Sequence, residues 1–250
     1  MALTILVTGA SAGFGAAMAR RFVRDGHRVV AAARRMDRLK ALHAELGAAV
    51  LPVKLDVADA AQVAALPLSL PPEWREVDVL INNAGGALGL DPAHKASLAD
   101  WDQMVAVNVS GMMHITRALL PGMVERNRGH IINISSVAAT YPYPGGNAYG
   151  ACKAFVTQFS LNLRADLVGS AVKVTDLEPG LVGGTEFSVT RFGGDEARAG
   201  AVYAGTVPLT ADDIAEAAAW VVGLPRHMNV NLMEIMPICQ SPGPLAIKRS

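Results

Sequence analysis

Cysteine is scarce in this chain. There are two, Cys152 and Cys239, and neither belongs to a Cys-x-x-Cys pair or a cysteine–histidine cluster, so no zinc or other metal site is expected. Two lone thiols fit a reducing, cytoplasmic compartment. Net charge is also missing. Lys+Arg and Asp+Glu both number 22, which leaves no general attraction to nucleic acid or an anionic membrane and is compatible with burying surface in an oligomer. No uninterrupted apolar run approaches the roughly 18–20 residues of a membrane span. The opening residues, MALTILVTGA, lack a basic leader, so no signal peptide is expected. Charged residues make up only 18% of the chain against 51% hydrophobic, which argues against disorder and for a sizeable core. A length of 250 residues without repeats or a low-complexity linker fits a single dinucleotide-binding and catalytic domain over 1–250.

Short runs rich in Val, Ile and Leu alternate with longer Ala-rich amphipathic segments. Strands are predicted at 3–8, 28–33, 49–55, 78–82, 130–135, 171–177 and 232–236, with Pro52 making the third uncertain in register. Helices are predicted at 14–25, 36–46, near Asp59, over most of 98–126 with an irregularity around Gly111 or Pro121, at 147–168 and at 211–223. Residues 183–207 are Gly-rich and unassigned, and the tail from Pro237 reads as loop. Alternation over the whole chain predicts an α/β fold, a Rossmann-like doubly wound parallel sheet with helices on both faces. Ligands of such sheets bind at the carboxyl ends of the strands. The chemically unusual residues fall there: a glycine loop after the first strand, Arg34 after the second, Asp56 after the third, Asn82 at the fourth, Ser136 after the fifth, and Pro179-Gly180 after the sixth.

Thr8-Gly9-Ala10-Ser11-Ala12-Gly13-Phe14-Gly15 spaces its glycines G-x3-G-x-G. Such a loop lets the backbone approach a pyrophosphate at a helix N-terminus, whose free N–H groups and dipole favour an anion. A tight strand-to-helix turn without a ligand is the alternative, and placement after the first strand favours a dinucleotide. A NAD-preferring site usually carries an acid at the end of the second strand. Here Arg34 and Arg35 stand there instead, and a guanidinium can hold a 2′-phosphate by paired, charge-assisted hydrogen bonds, so the cofactor is read as NADP(H). Asp56 is a candidate acceptor for an adenine amino group, with a local turn or helix cap as the alternative.

Of the four tyrosines, only Tyr149 has a lysine, Lys153, four residues on. That spacing puts both on one helix face. A phenol with its reference pKa near about 10 is a poor acid–base group at neutral pH, and a nearby ammonium favours phenolate. Tyr149 is therefore the expected proton donor or acceptor of a carbonyl/alcohol interconversion. Ser136 can hydrogen-bond the developing alkoxide, whereas Ser135 points to the other side of the strand.

With these residues in view, the sequence resembles the short-chain dehydrogenase/reductase family over nearly its whole length. The motifs that carry the likeness are TGASAGFG (8–15), NNAG (82–85), Asn108, Ser136 with Tyr149, YGACK (149–153) and PG (179–180). The resemblance implies that Gly9, Ser11, Gly13, Phe14, Gly15, Asn82, Ala84, Gly85, Pro179, Gly180 and Val182 contact the cofactor. It also implies that Lys153 binds the nicotinamide ribose and that Asn108 holds a water relaying protons through Lys153. GHIINISS, PGGNAYGACKAFVTQFSLNLR, DLEPGLVGGTEFS and ALGLDPAHKAS are similar to the NADP-dependent 3-hydroxy acid dehydrogenase branch. That branch implies oxidation of serine, L-allo-threonine and 3-hydroxy acids, reduction of malonic semialdehyde, B-face hydride transfer and a homotetramer.

A 3-hydroxy acid presents a carboxylate, which needs a cation or several N–H donors. Arg191, near the expected substrate loop at 183–207, is the candidate, with a solvated surface arginine as the alternative. Tyr143 and Asn147 are further candidates to line the substrate pocket, and Gly183-Gly184 to hinge a lid. The competing enzymatic reading is an NADPH-dependent reductase of a bulkier ketone or aldehyde without a carboxylate. A dinucleotide-sensing protein without turnover is the non-enzymatic one.

Overall fold

The structure, a computed structural model, describes residues 2–243. Seven strands form one sheet: β1 (Thr4–Thr8), β2 (Arg28–Ala33), β3 (Val50–Lys54), β4 (Val79–Asn82), β5 (Gly129–Ile134), β6 (Val172–Pro179) and β7 (Leu232–Ile235). Every pairing is parallel and the spatial order is β3-β2-β1-β4-β5-β6-β7. Order reverses between β1 and β4, which opens a crevice at the carboxyl ends of those strands. The position of β3 explains why Pro52 is tolerated. It lies on the sheet edge, where a missing N–H costs no ladder bond on the open side.

The helices are α1 (Gly13–Arg24), α2 (Met36–Leu46), α3 (Ala60–Ser69), α4 (Leu98–Val105), α5 (Met112–Glu125), α6 (Asn147–Asp166), α7 (Phe187–Arg191), α8 (Glu196–Ala201) and α9 (Ala211–Gly223). Strand alternation divides the core. Ile5, Val7, Ile132 and Leu177 pack with Met18 and Phe22 of α1, Leu39 of α2 and Ala218 of α9. Leu6, Leu80, Ile131 and Val174 pack on the other face with Leu66 of α3, Ile115 and Met123 of α5, and Leu163 of α6. Asp59 caps α3 by accepting from Ala61 and Gln62 N–H, and Thr210 with Asp213 forms a reciprocal capping box at the start of α9.

The irregularity expected near Gly111 is a π-helical turn over Ala106–Gly111 joining α4 to α5, whereas Pro121 sits inside α5 without ending it. The segment left unassigned folds as an excursion carrying α7 and α8. Its base is stitched shut: Gly183 N–H donates to Leu209 O and Leu209 N–H to Leu181 O. The irregular tail is tied to the sheet through Gln240, whose Oε1 accepts from Leu181 N–H at 2.7 Å. The last seven residues of the expected loop, 244–250, lie outside the described residues.

Candidate active site

A cleft of about 390 Å³ runs along the carboxyl ends of the central strands. Gly9, Ser11, Gly13, Phe14, Arg34, Arg35, Asp56, Ala84, Gly85, Tyr149 and Lys153 line it, which gathers most of the sequence-selected residues into one space.

Its first end is built by the turn from β1 into α1. Gly9 takes φ +67°, a conformation a side chain disfavours. Gly15 is required by closeness, since a Cβ there would lie 2.5 Å from Gly9 O. Thr8 Oγ1 accepts from the N–H groups of Asn83 and Ala84 at 3.0 and 2.9 Å, which welds the loop after β4 to the loop after β1. The first turn of α1 has neither a side-chain cap nor an acidic residue. Its N–H groups therefore remain available for an anion.

Arg34 and Arg35 divide. Arg35 donates to Ser11 Oγ at 3.2 Å and pairs with Glu186 at 2.8 Å. Arg34 is exposed on the cleft wall and forms no ion pair among the described residues. A basic residue at the end of β2 without an acidic partner suits a phosphate. Asp56 lines the cleft while its Oδ1 accepts from Ala58 N–H at 3.1 Å, so the turn role and the cleft position coexist.

The inner end holds the proton chemistry. Tyr149 and Lys153 are both buried on α6. Lys153 Nζ donates to Ile134 O at 2.8 Å and stands 5.7 Å from the centre of the Tyr149 ring. Burial pushes the lysine down to about 8, against the pull of Asp176 and Cys152. Burial pushes the Tyr149 phenol well above its ordinary value and Tyr143 adds to this, while the Ser136 hydroxyl and Arg191 pull it back. The spacing predicts that Lys153 supplies the phenolate-favouring charge. Its ammonium lies 5.7 Å from the ring centre while bonded to a backbone carbonyl, and Arg191 is a second cation at 5.6 Å.

Strand alternation separates the two serines as expected. Ser136 Oγ accepts from Ala138 N–H at 3.1 Å and faces Tyr149, whereas Ser135 Oγ turns into α6, donating to Lys153 O at 3.0 Å. Asn108 sits in the π-helical turn. Its Oδ1 accepts from Gly86 N–H at 3.1 Å and its Nδ2 donates to Gly86 O at 3.0 Å. A Cβ built on Gly85 would stand 2.5 Å from Asn108 Oδ1 and 3.5 Å from Lys153 Nζ, so all three meet at one point.

Some selected residues lie elsewhere. The Asn82 side chain is buried away from the cleft, donating to Thr116 Oγ1 and Asn133 Oδ1, and it is Asn83 that lines the wall. Pro179 ends β6 and its carbonyl faces Ser136 Oγ at 3.4 Å; Gly180 and Val182 follow it, the latter bridged to Leu209, and none of the three lines the cleft. Asn147 is tied to Asp91 O at 3.1 Å. Thr185, Glu186, Phe187 and Thr190, in the excursion, line the cleft and were not selected. Phe187 packs edge-on against Tyr149 with ring centres 5.8 Å apart.

Arg191 is half-buried rather than solvated. Its Nε donates to Gly89 O at 3.1 Å, its Nη2 to Tyr143 OH at 2.9 Å, and its guanidinium carbon is 5.3 and 5.6 Å from the ring centres of Tyr143 and Tyr149. It has no acidic partner among the described residues. A cation held by two tyrosines and a carbonyl, with N–H groups to spare, is equipped to take a small anion beside the phenol.

The family model for short chain dehydrogenase matches residues 3–194. The chain is 59% identical to the NADP-dependent 3-hydroxy acid dehydrogenase YdfG of Salmonella typhi over 248 residues, 99% of this chain and all of that one. It is 49% identical to the serine 3-dehydrogenase of Rhizobium radiobacter over 241 residues, 96% of each. Among solved structures, the closed form of a serine dehydrogenase complexed with NADP+ matches with a TM-score of 0.96 at 55% identity, covering 99% of this chain and all of that one.

Proposed function

The chain belongs to the short-chain dehydrogenase/reductase family, and from that premise we propose that it interconverts a small 3-hydroxy acid, of the serine, L-allo-threonine or 3-hydroxypropionate type, and its 3-oxo product with NADP(H). The observation that carries the substrate class is the unpaired Arg191 guanidinium, 5.6 Å from the ring of the buried tyrosine that would exchange the proton.

Bound NADP(H) supplies or accepts the hydride. The residues fit that cofactor, because α1 presents uncapped N–H groups and Arg34 an unpaired guanidinium at the outer end of the cleft. Arg34 would hold the 2′-phosphate, Ser11, Gly13 and Phe14 the pyrophosphate, and Lys153 the ribose. Ser136 holds the carbonyl or alcohol oxygen in place. Tyr149 delivers a proton to that oxygen in reduction; burial keeps the phenol protonated until then. In oxidation the same phenol must lose its proton, and the Ser136 hydroxyl and Arg191 are the groups that favour the loss. Asn108, fixed beside Gly85 and Lys153, would hold a water that relays protons through Lys153. Exposed Phe155 and Leu161 on α6 and Leu98 on α4 support a homotetramer that covers them. No helix among the described residues is long and apolar enough to cross a membrane. A cytoplasmic setting is part of this reading, supported by the two unpaired thiols.

The test is a comparison of a 3-hydroxy acid with its methyl ester in NADP+ reduction. The acid is expected to be favoured by about 10²-fold in kcat/KM, the worth of a charge-assisted contact of roughly 3 kcal/mol. Arg191→Leu is expected to abolish that preference; ester turnover falls too, because Arg191 also favours loss of the Tyr149 proton, but acid and ester then react alike. Equal turnover of acid and ester by the unaltered enzyme would reject the substrate class and favour the bulkier-ketone reductase.

A further inference from the structure

We propose that Asp176 is a positioning residue for the reaction: with Glu178 it forms a buried carboxyl pair that shares one proton behind Lys153, and its ionisation holds Lys153 as an ammonium. The proposal rests on the role given to Lys153 above.

Asp176 and Glu178 are alternate residues of β6, so both side chains leave the same face of the sheet. That face is the one covered by α6, because Val174, two residues before, packs with Leu163. Asp176 is level with Asn133 of β5, whose Nδ2 donates to Ser160 on α6. Both acids are buried, at 0% and 1% exposure. Glu178 Oε1 accepts from Thr157 Oγ1 at 2.7 Å, Thr157 Oγ1 meets Ser135 Oγ at 3.0 Å, and Ser135 Oγ donates to the Lys153 carbonyl. The pair is thus packed against the turn of α6 that carries the lysine.

Neither oxygen of Asp176 has a hydrogen-bond donor among the described residues. A bare carboxylate at 0% exposure is costly, but a neutral carboxyl can itself donate to an adjacent carboxylate. A shared proton therefore gives one of the two orphaned oxygens a partner and leaves the other uncharged, with Glu178 carrying the charge and Thr157 supporting it. Burial raises Asp176 to about 7, Glu178 adds to this, and Thr157 and Lys153 oppose it. Burial also raises Glu178, to which Glu234 on β7 contributes. The charged and titratable groups that act on the pair are Lys153 from α6, Glu234 from β7, and Tyr141, whose hydroxyl reaches Glu234 at 3.5 Å. Lys153 is the one cation among them.

Consequently the pair carries one negative charge below neutrality and two above it. The second charge arrives in the pH range where burial would otherwise strip the proton from Lys153. Asp176 and Lys153 hold each other ionised, which extends the ammonium into alkaline pH, where Tyr149 is most readily a base.

Asparagine reproduces neutral Asp176 and cannot ionise, which makes Asp176→Asn a selective probe. In NADP+-linked oxidation by the holoenzyme, kcat is expected to stay within about twofold of wild type near pH 6 and to fall about tenfold behind it near pH 9, as a one-unit loss of lysine basicity requires. A loss of equal size at every pH, or no loss, would overturn the proposal. A second measurement needs no turnover. The infrared difference spectrum of the wild-type protein between about pH 6 and pH 8 should show the disappearance of a protonated-carboxyl band. A wild-type protein without that band refutes the shared proton, whether or not Asp176→Asn folds. The band also persists if the proposed reaction is wrong, so the two failures can be told apart.

Discussion

The two walls of the cleft are built by different means. The inner wall consists of strand ends and the buried face of α6, and its groups are fixed by the backbone: Thr8 welds two loops, Lys153 is bonded to Ile134 O, and Ser136 caps its own turn. The outer wall is the excursion between Gly183 and Leu209, with helices of five and six residues. Side chains pin it to the rest: Arg191 to Gly89 and Tyr143, and Glu186 to Arg35, with Ser188 and Tyr203 joined inside it at 2.6 Å. The groups proposed to handle the proton sit on the wall held by backbone hydrogen bonds, and the group proposed to select the substrate on the wall held mainly by side chains.

That division predicts a gradient of effects. The largest belongs to Tyr149→Phe. The ring and its edge contact with Phe187 remain, while the exchangeable proton is lost. Turnover should fall by about 10³-fold or more, the range of general acid–base catalysis. NADPH affinity, read by fluorescence titration, should change less than about threefold. Retained turnover would remove Tyr149 from the chemistry and the inner wall from its special position.

Next comes Arg34→Ala. Arg34 has no ion-pair partner among the described residues, so folding should be unaffected. A charge-assisted contact to phosphate contributes roughly 1.5–3 kcal/mol, and NADP(H) should bind about 10- to 100-fold more weakly. NAD(H) binding should barely change. Equal weakening of both would shift the phosphate to Arg35, and with it the reading of the Arg35–Glu186 pair as a link between walls.

The inner wall was legible in the sequence because its signals are local. A glycine loop after a strand, a serine at a strand tip and a Tyr–Lys pair one helical turn apart each declare their geometry within a few residues. The same logic separated Ser135 from Ser136. At β4 the motif points to Asn82, although Asn83, the residue beyond the strand, lines the cleft. Alternation in a buried strand would have sent Asn82 inward, to Asn133 at the same level of β5. The outer wall was illegible for a different reason. Residues 183–207 have no periodic apolar pattern, and their helices are too short to show one. Their positions follow from contacts over 48 to 151 residues, such as Arg191 with Tyr143 and Glu186 with Arg35, which no window of sequence contains. The buried acids of β6 read as part of an ordinary strand end. Their pairing depends on a neighbour in α6 that only the assembled sheet supplies.

The smallest effect tests the outer wall itself. Glu186 and Arg35 are about half-exposed, with side-chain exposures of 48% and 44%, so solvent and salt screen their pair. Its worth is at most about 1 kcal/mol. The Arg35 hydrogen bond nevertheless holds the Glu186 carboxyl below its ordinary range, with Arg38 adding to the effect. Because the folded-state value is depressed, the contribution is present at neutral pH and is lost as the pH falls through that lowered value. Glu186→Gln keeps the shape and removes the charge. If this pair links the excursion to the glycine loop, KM for the hydroxy acid should rise by up to about fivefold at low salt, with kcat nearly unchanged. The difference from wild type should vanish near 1 M salt, where the screening length is about 3 Å. A change in kcat instead, or one indifferent to salt, would mean that the excursion takes part in the chemistry, and the two walls could no longer be assigned separate tasks.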